Sequence, residues 1–107
     1  MNISKKFSIL IEKRKMLDHI DYDNEPVILE MVKLFSENIN DTIKFLKTEC
    51  SAEQFVWLSE IFDEIVEATH SKEFIDTLYE VAKKYPKETE EYNIQYFIDT
   101  LKEFLEE

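Results

Sequence analysis

The amino-acid sequence predicts an all-α fold, and three observations lead to this prediction. Apolar residues recur at the three- and four-residue spacing of helices almost throughout the chain. No alternating strand pattern of useful length competes with that spacing. Glycine is absent, although phosphate-binding loops, dinucleotide-binding motifs and tight β-hairpins all depend on it. Nucleotide-binding α/β folds and hairpin-rich β folds are therefore disfavoured.

Six helices are expected from the apolar spacing and from the residues that begin and end helices. Ser51 and Gln54 form the pattern of a capping box, Asn40 or Asp41 is suited to open the third helix, and Pro86 is expected to end the fifth. Short connections make consecutive helices antiparallel, so three hairpins are predicted, arranged as a compact bundle or as a short HEAT-like stack. The predicted helices span 4–19, 25–36, 40–50, 52–69, 72–85 and 93–106.

Length and composition predict a single helical domain spanning 1–107. Of its 107 residues, 44% are apolar and 13% aromatic, which is enough for a real core although 35% are charged. Cys50 is the single cysteine and cannot form an internal disulfide, and no apolar run approaches the ~20 residues of a membrane span. The apolar stretch 7–11 is too short for an export signal. A cytoplasmic protein without a membrane partner is therefore expected.

The residue types that usually carry catalysis are few. Cys50 continues an apolar helical stripe and is interpreted as a buried small hydrophobe, and His70 as a residue at a helix C-terminus. The acidic segment 18–25 contains His19, yet a calcium loop starting at Asp21 would place proline and valine where glycine and glutamate are needed. That segment is interpreted as a solvated loop. Neither a metal nor a cofactor is expected, and the chain is predicted not to be an enzyme.

Charge is unevenly distributed along the chain. Residues 1–16 carry five basic side chains and one acidic side chain, whereas the whole chain has a net charge of −11. Between Lys47 and Lys72 there is no lysine or arginine. Because such a negative chain repels phosphate, nucleic acid is disfavoured as a direct ligand. A basic protein is the expected partner, since complementary charge accelerates association.

The predicted helix 52–69 carries a concentration of carboxylates on one side. At about 100° per residue they fall on one arc, with no lysine in the segment to offset their mutual repulsion. The predicted core stripe faces away from this arc and comprises Phe55, Leu58, Phe62 and Ile65. Val56 projects into this arc and Trp57 lies on its flank. Trp57 is either the anchor of an interface or a side chain that packs against a neighbouring helix. The predicted partner-binding residues are Glu49, Glu53, Val56, Trp57, Glu60, Asp63, Glu64 and Glu67.

A second acidic cluster follows the predicted fifth helix. It comprises Glu88, Glu90 and Glu91, and aromatic residues lie close by in the sequence, namely Tyr85, Tyr92 and Tyr96. This cluster is either a solvated loop between helices or a second binding surface.

The segments VWLSEIFDEIVE (56–67), SKEFI (71–75), KYP (84–86) and YNI (92–94) together resemble small acidic helical immunity proteins. Such proteins accompany bacterial polymorphic or contact-dependent toxins. The resemblance covers roughly residues 50–98 and implies a cytoplasmic protein that binds and neutralises a cognate toxin domain, often a basic nuclease. The alternative is a non-catalytic helical adaptor, or a module that self-associates as a homodimer through Val56 and Trp57.

Overall fold

Helices account for most of residues 2–106, which are the residues that this computed structural model describes. Over that range the chain forms eight helices and no strand, so the all-α prediction is confirmed while six helices were too few. The helices are α1 (Ile3–His19), α2 (Glu25–Ser36), α3 (Ile39–Thr48), α4 (Ala52–Ser59), α5 (Phe62–Thr69), α6 (Lys72–Lys84), α7 (Pro86–Glu91) and α8 (Ile94–Glu106).

The predicted helix 52–69 is divided into α4 and α5. The backbone amides of Glu60 and Ile61 bond to carbonyls three residues earlier, at 3.3 and 3.0 Å, so the helix tightens into a turn and ends. The Ser59 hydroxyl donates to the Val56 carbonyl at 2.6 Å, and such local bonds compete with helix propagation. Neither glycine nor proline marks this turn, which is why apolar spacing alone predicts one long helix.

The segment after Tyr85 is a short helix rather than the predicted loop. Pro86 occupies the first turn of α7, where its missing N–H removes no helical hydrogen bond. Thr89 is buried, and its hydroxyl donates to the Ala82 carbonyl at 3.3 Å, which ties α7 to the end of α6. The carboxylates of this segment therefore lie on an ordered helix.

Helix caps follow the sequence prediction in α4 but not in α3. The Ser51 hydroxyl accepts from the Gln54 backbone amide at 3.1 Å, and the Gln54 side chain accepts from the Ser51 amide at 3.0 Å. The cap of α3 is Asn38, whose side-chain oxygen accepts from the Asp41 amide at 3.3 Å. The prediction of Asn40 or Asp41 as the first residue of this helix was therefore wrong by one or two positions.

The packing of the helices differs in part from the predicted arrangement of three successive hairpins. α1 packs along α2, and α6 packs against both α3 and α8, whereas the principal contacts of α3 are with α6 rather than with α4. Nearly all the buried apolar residues form one cluster, contributed by α1 to α6, by α8 and by Cys50 and Ile61 just after the ends of α3 and α4. The predicted core stripe is confirmed, since Phe55, Leu58, Phe62 and Ile65 are all buried.

Among residues 2–106, three non-glycine residues adopt the left-handed conformation at or near the ends of helices. They are Asp21, His70 and Asn93, with φ angles of 54°, 49° and 55°. Asparagine, aspartate and histidine tolerate this region better than most side chains. Tight turns are thus made without glycine. Across residues 2–106, no helix is both long and apolar enough to cross a membrane.

Candidate protein-binding groove

A groove runs between the α4–α5 turn and helices α7 and α8. It consists of two adjoining hollows of about 700 and 530 Å³ that share Ser59, Glu60 and Phe97. We call the first the tryptophan end, which is lined by Glu53, Val56, Trp57, Glu88, Glu91 and Tyr92. The second is the tyrosine end, which is lined by Arg14, Ile28, Asp63, Glu64, Tyr96 and Thr100. The groove joins the two acidic clusters that are separate in the sequence.

Six of the eight predicted partner-binding residues line this groove: Glu53, Val56, Trp57, Glu60, Asp63 and Glu64. Glu49 lies elsewhere, because it ends α3 and lines a different hollow beside Lys6. Glu67 is exposed on α5 and does not line either end of the groove. The turn between α4 and α5 means that the carboxylates do not form the single straight ridge expected from one continuous helix.

Helix α1 supplies the positive charge that the segment 52–69 lacks. The buried side-chain amide of Gln54 donates to the hydroxyls of Ser4 and Ser8 at 3.3 and 3.2 Å, which links α4 to α1. Farther along α1, Arg14 pairs with Glu60, and the Lys15 ammonium lies 2.7 Å from a Glu53 carboxylate oxygen. The expectation that nothing offsets these carboxylates was therefore wrong for Glu53 and Glu60.

Trp57 is half-buried beneath the same two basic side chains. The Arg14 guanidinium lies 5.1 Å from the indole centroid, and the Lys15 ammonium lies 6.0 Å from it. Both distances fit cation–π contacts. Of the two interpretations of Trp57, packing against a neighbouring helix therefore describes its contacts inside the molecule, while the same residue still lines the groove.

The α1 contacts also shift the ionisation of the paired groups. Hydrogen bonding to Lys15 is the main cause that lowers the pKa of the Glu53 carboxyl, and the same contact raises the pKa of the Lys15 ammonium. Each partner favours the charged form of the other. The two groups therefore stay ionised together over a wide range of pH.

The carboxylates on α5 have no such partner. Within residues 2–106 no lysine or arginine lies within ion-pairing distance of Asp63, Glu64 or Glu67. Partial desolvation raises the pKa of the Glu64 carboxyl to about 7, and the hydrogen bond to Asp63 and its charge add to the shift. The tyrosine end of the groove thus holds two carboxyl groups that no basic side chain among residues 2–106 pairs with, and Glu64 becomes fully ionised only above about pH 7.

Aromatic side chains line the opposite wall and are largely exposed. Tyr92 is 49% exposed, Tyr96 61% and Phe97 42%, and the last two rings lie 6.2 Å apart in an edge-to-face arrangement. Exposed aromatic side chains beside a cavity are typical of binding surfaces. Phe97 follows the apolar spacing of α8, a pattern that predicts a buried position, so the sequence alone does not reveal its place in the groove. One signal in the sequence was available: Tyr96 and Phe97 are adjacent. Neighbouring side chains on a helix point about 100° apart, so two adjacent aromatic residues do not both point to the centre of the core.

The other predicted positions of interest lie outside the groove. Cys50 is buried, and desolvation raises the pKa of its thiol to about 12, as expected of an inert buried thiol. His70 ends α5, and its ring stacks on Phe104 at 6.3 Å. Over the described part of the chain, no group of three or more His, Cys, Asp or Glu residues is placed to hold a metal ion.

No protein-family model matches this chain, and neither a curated protein nor a solved structure does so.

Proposed function

We propose that this protein is a non-enzymatic binding protein that captures a basic partner protein in the groove between α4, α5, α7 and α8. The observation that carries the proposal is the combination of unpaired carboxylates with exposed aromatic rings in one cavity. Asp63 and Glu64 supply the charge, and Tyr92, Tyr96 and Phe97 supply apolar surface that a partner can desolvate. In interfaces of this composition, complementary charge raises the rate of association, and buried aromatic side chains provide much of the affinity.

The resemblance to immunity proteins gives the proposal its specific form. In that form the protein acts in the cytoplasm, and its partner is a cognate toxin domain, a basic nuclease in the simplest case, that is neutralised by stoichiometric association. The net charge of −11 supports this choice of partner, since a nuclease that holds nucleic acid needs a basic surface.

The structure allows a test with matched charge reversals. The tagged wild-type chain, the variant Asp63→Lys with Glu64→Lys, and the variant Glu103→Lys with Glu106→Lys are used to recover partners from the native host. Both variants change the net charge equally, and all four positions are exposed. We expect a basic protein to be recovered with the wild type and with the α8 variant, and to be lost with the α5 variant.

Neutralisation is then tested directly. The recovered partner is expressed alone and together with each form of the chain, and growth is measured. Growth arrest that the wild type and the α8 variant relieve, but the α5 variant does not, would support the proposal. Equal recovery with both variants would place the partner elsewhere on the molecule. Recovery of a second copy of the chain alone would favour the alternative, a self-associating module.

A further inference from the structure

We infer that the tyrosine end of the groove binds arginine side chains of the partner in preference to lysine side chains. This inference rests on the proposed function, because it names the chemistry by which the groove recognises a basic protein. It is based on the juxtaposition of the unpaired carboxylates Asp63 and Glu64 with the exposed rings of Tyr96 and Phe97.

The surface around Trp57 allows an arginine and a lysine in similar surroundings to be compared. Arg14 and Lys15 both lie over the Trp57 ring, and each pairs with a carboxylate, Arg14 with Glu60 and Lys15 with Glu53. The Arg14 side chain is only 14% exposed, whereas the Lys15 side chain remains 42% exposed. At this surface the arginine is therefore largely buried against its neighbours, whereas the lysine remains partly exposed to water.

A general physical difference accounts for this behaviour. The guanidinium group is planar and weakly hydrated, so it can stack on an aromatic face while its edge donates hydrogen bonds to carboxylates. An ammonium group is a compact and strongly hydrated point charge that loses more on leaving water. A site built from an aromatic face and a carboxylate therefore favours arginine.

The tyrosine end provides these same components, and although Arg14 also lines it, that guanidinium pairs with Glu60 and no basic side chain among residues 2–106 pairs with Asp63 or Glu64. Tyr96 and Phe97 offer exposed ring surface, and Asp63 and Glu64 offer oxygen atoms that accept hydrogen bonds. The hollow of about 530 Å³ has room for more than one long side chain. A guanidinium placed there would also relieve the repulsion between the two neighbouring carboxylates.

The experiment compares two peptides of equal length and equal charge. Capped hexa-arginine and hexa-lysine are titrated into the full chain at low ionic strength, and dissociation constants are measured by calorimetry. We expect hexa-arginine to bind roughly fivefold more tightly, which corresponds to one cation–π contact at a partly exposed site. The variant Tyr96→Ala with Phe97→Ala should bind the two peptides equally.

Control variants separate the contributions. Tyr22→Ala removes an exposed ring outside the groove, since Tyr22 is 68% exposed in the turn after α1, and should keep the preference for arginine. Tyr96→Ala alone removes a 61% exposed ring and should reduce the preference without disturbing the fold, as checked by circular dichroism. Asp63→Asn with Glu64→Gln should weaken the binding of both peptides.

The possible results distinguish the inference from the proposed function. Equal affinity of the wild type for both peptides, or a preference for lysine, would overturn the inference while leaving a groove that binds basic partners. A preference for arginine that survives loss of both Tyr96 and Phe97 would place the selective site elsewhere. If neither peptide binds, both the inference and the proposed function fail.

Discussion

The carboxylates of α4 and those of α5 lie on either side of one turn, yet they have different surroundings. Glu53 of α4 and Glu60, the residue that caps its C-terminus, pair with basic side chains of α1, and those side chains also cover Trp57. Asp63 and Glu64 of α5 face the groove, and no basic side chain among residues 2–106 pairs with them. The same residue types therefore stabilise the fold on one side of the turn and form an open surface on the other.

The role of an acidic run therefore depends on which helix packs beside it. A carboxylate next to a basic helix gains an internal partner and contributes to stability, whereas an unpaired carboxylate repels its neighbours at a cost in stability. Side chains that cost stability and remain exposed are candidates for contact with another molecule. Three predictions test whether the two sides of the turn differ in this way.

The largest effect is expected at Trp57. Trp57→Ala removes the ring that α1 covers, and we expect it to lower the free energy of unfolding by about 3 kcal/mol through lost packing and lost cation–π contact. The matched control is Tyr96→Ala on the open side, which should cost less than about 1 kcal/mol because the ring is 61% exposed. Urea denaturation followed by circular dichroism measures both. Similar losses in the two variants would contradict the comparison.

A smaller effect is expected at Glu60. Glu60→Gln removes the carboxylate closest to the Arg14 guanidinium, and the Arg14 side chain is only 14% exposed. We expect the free energy of unfolding to fall by about 1–2 kcal/mol. Glu67→Gln removes an exposed carboxylate that has no such partner and should change stability by less than about 0.5 kcal/mol. The comparison fails if thermal unfolding shows Glu67→Gln to be as damaging as Glu60→Gln.

The smallest effect concerns pH and Glu64. Its pKa is raised from the usual 4.5 to about 7, so the folded chain binds the proton more tightly than the unfolded chain does. Ionisation of Glu64 therefore lowers the stability of the wild type as pH rises from about 4.5 to 7. The variant Glu64→Gln has no carboxyl group to ionise at this position. Its free energy of unfolding, measured relative to that of the wild type, should therefore be higher at pH 8 than at pH 4.5.

Because Glu64 is exposed, solvent screening should keep that improvement below about 1 kcal/mol. Chemical denaturation of both chains at the two pH values measures it. An equal pH dependence of the two chains, or a relative gain for the variant at low pH, would contradict the expectation. The carboxyl of Glu53 provides the opposite case, since contact with Lys15 lowers its pKa.

The fold class could be predicted because helical apolar spacing is a local property of the sequence. The core stripe Phe55, Leu58, Phe62 and Ile65 follows from that spacing and is buried as expected. The division between α4 and α5 could not be predicted, because it depends on backbone turns at Glu60 and Ile61 that no glycine or proline announces. Helix α7 was missed because a proline that ends one helix can also begin the next.

The part of the candidate site that could be predicted from the sequence is its concentration of acidic residues. The two acidic clusters are visible in the sequence, but their meeting in one groove depends on how α7 and α8 pack near α4. The neutralisation of Glu53 and Glu60 comes from residues 38 and 46 positions away, which no local pattern reveals. The predicted binding of a partner by these residues stays a prediction.

The position of Trp57 makes this residue an intrinsic fluorescence probe. The chain contains one tryptophan, so its fluorescence arises from a single site where α1, α4 and the groove meet. Indole emission responds to nearby charge and to water, both of which change when the basic side chains above it move or when a ligand fills the adjoining cavity. Separation of α1 from α4 and occupation of the groove can thus be followed in the unlabelled protein.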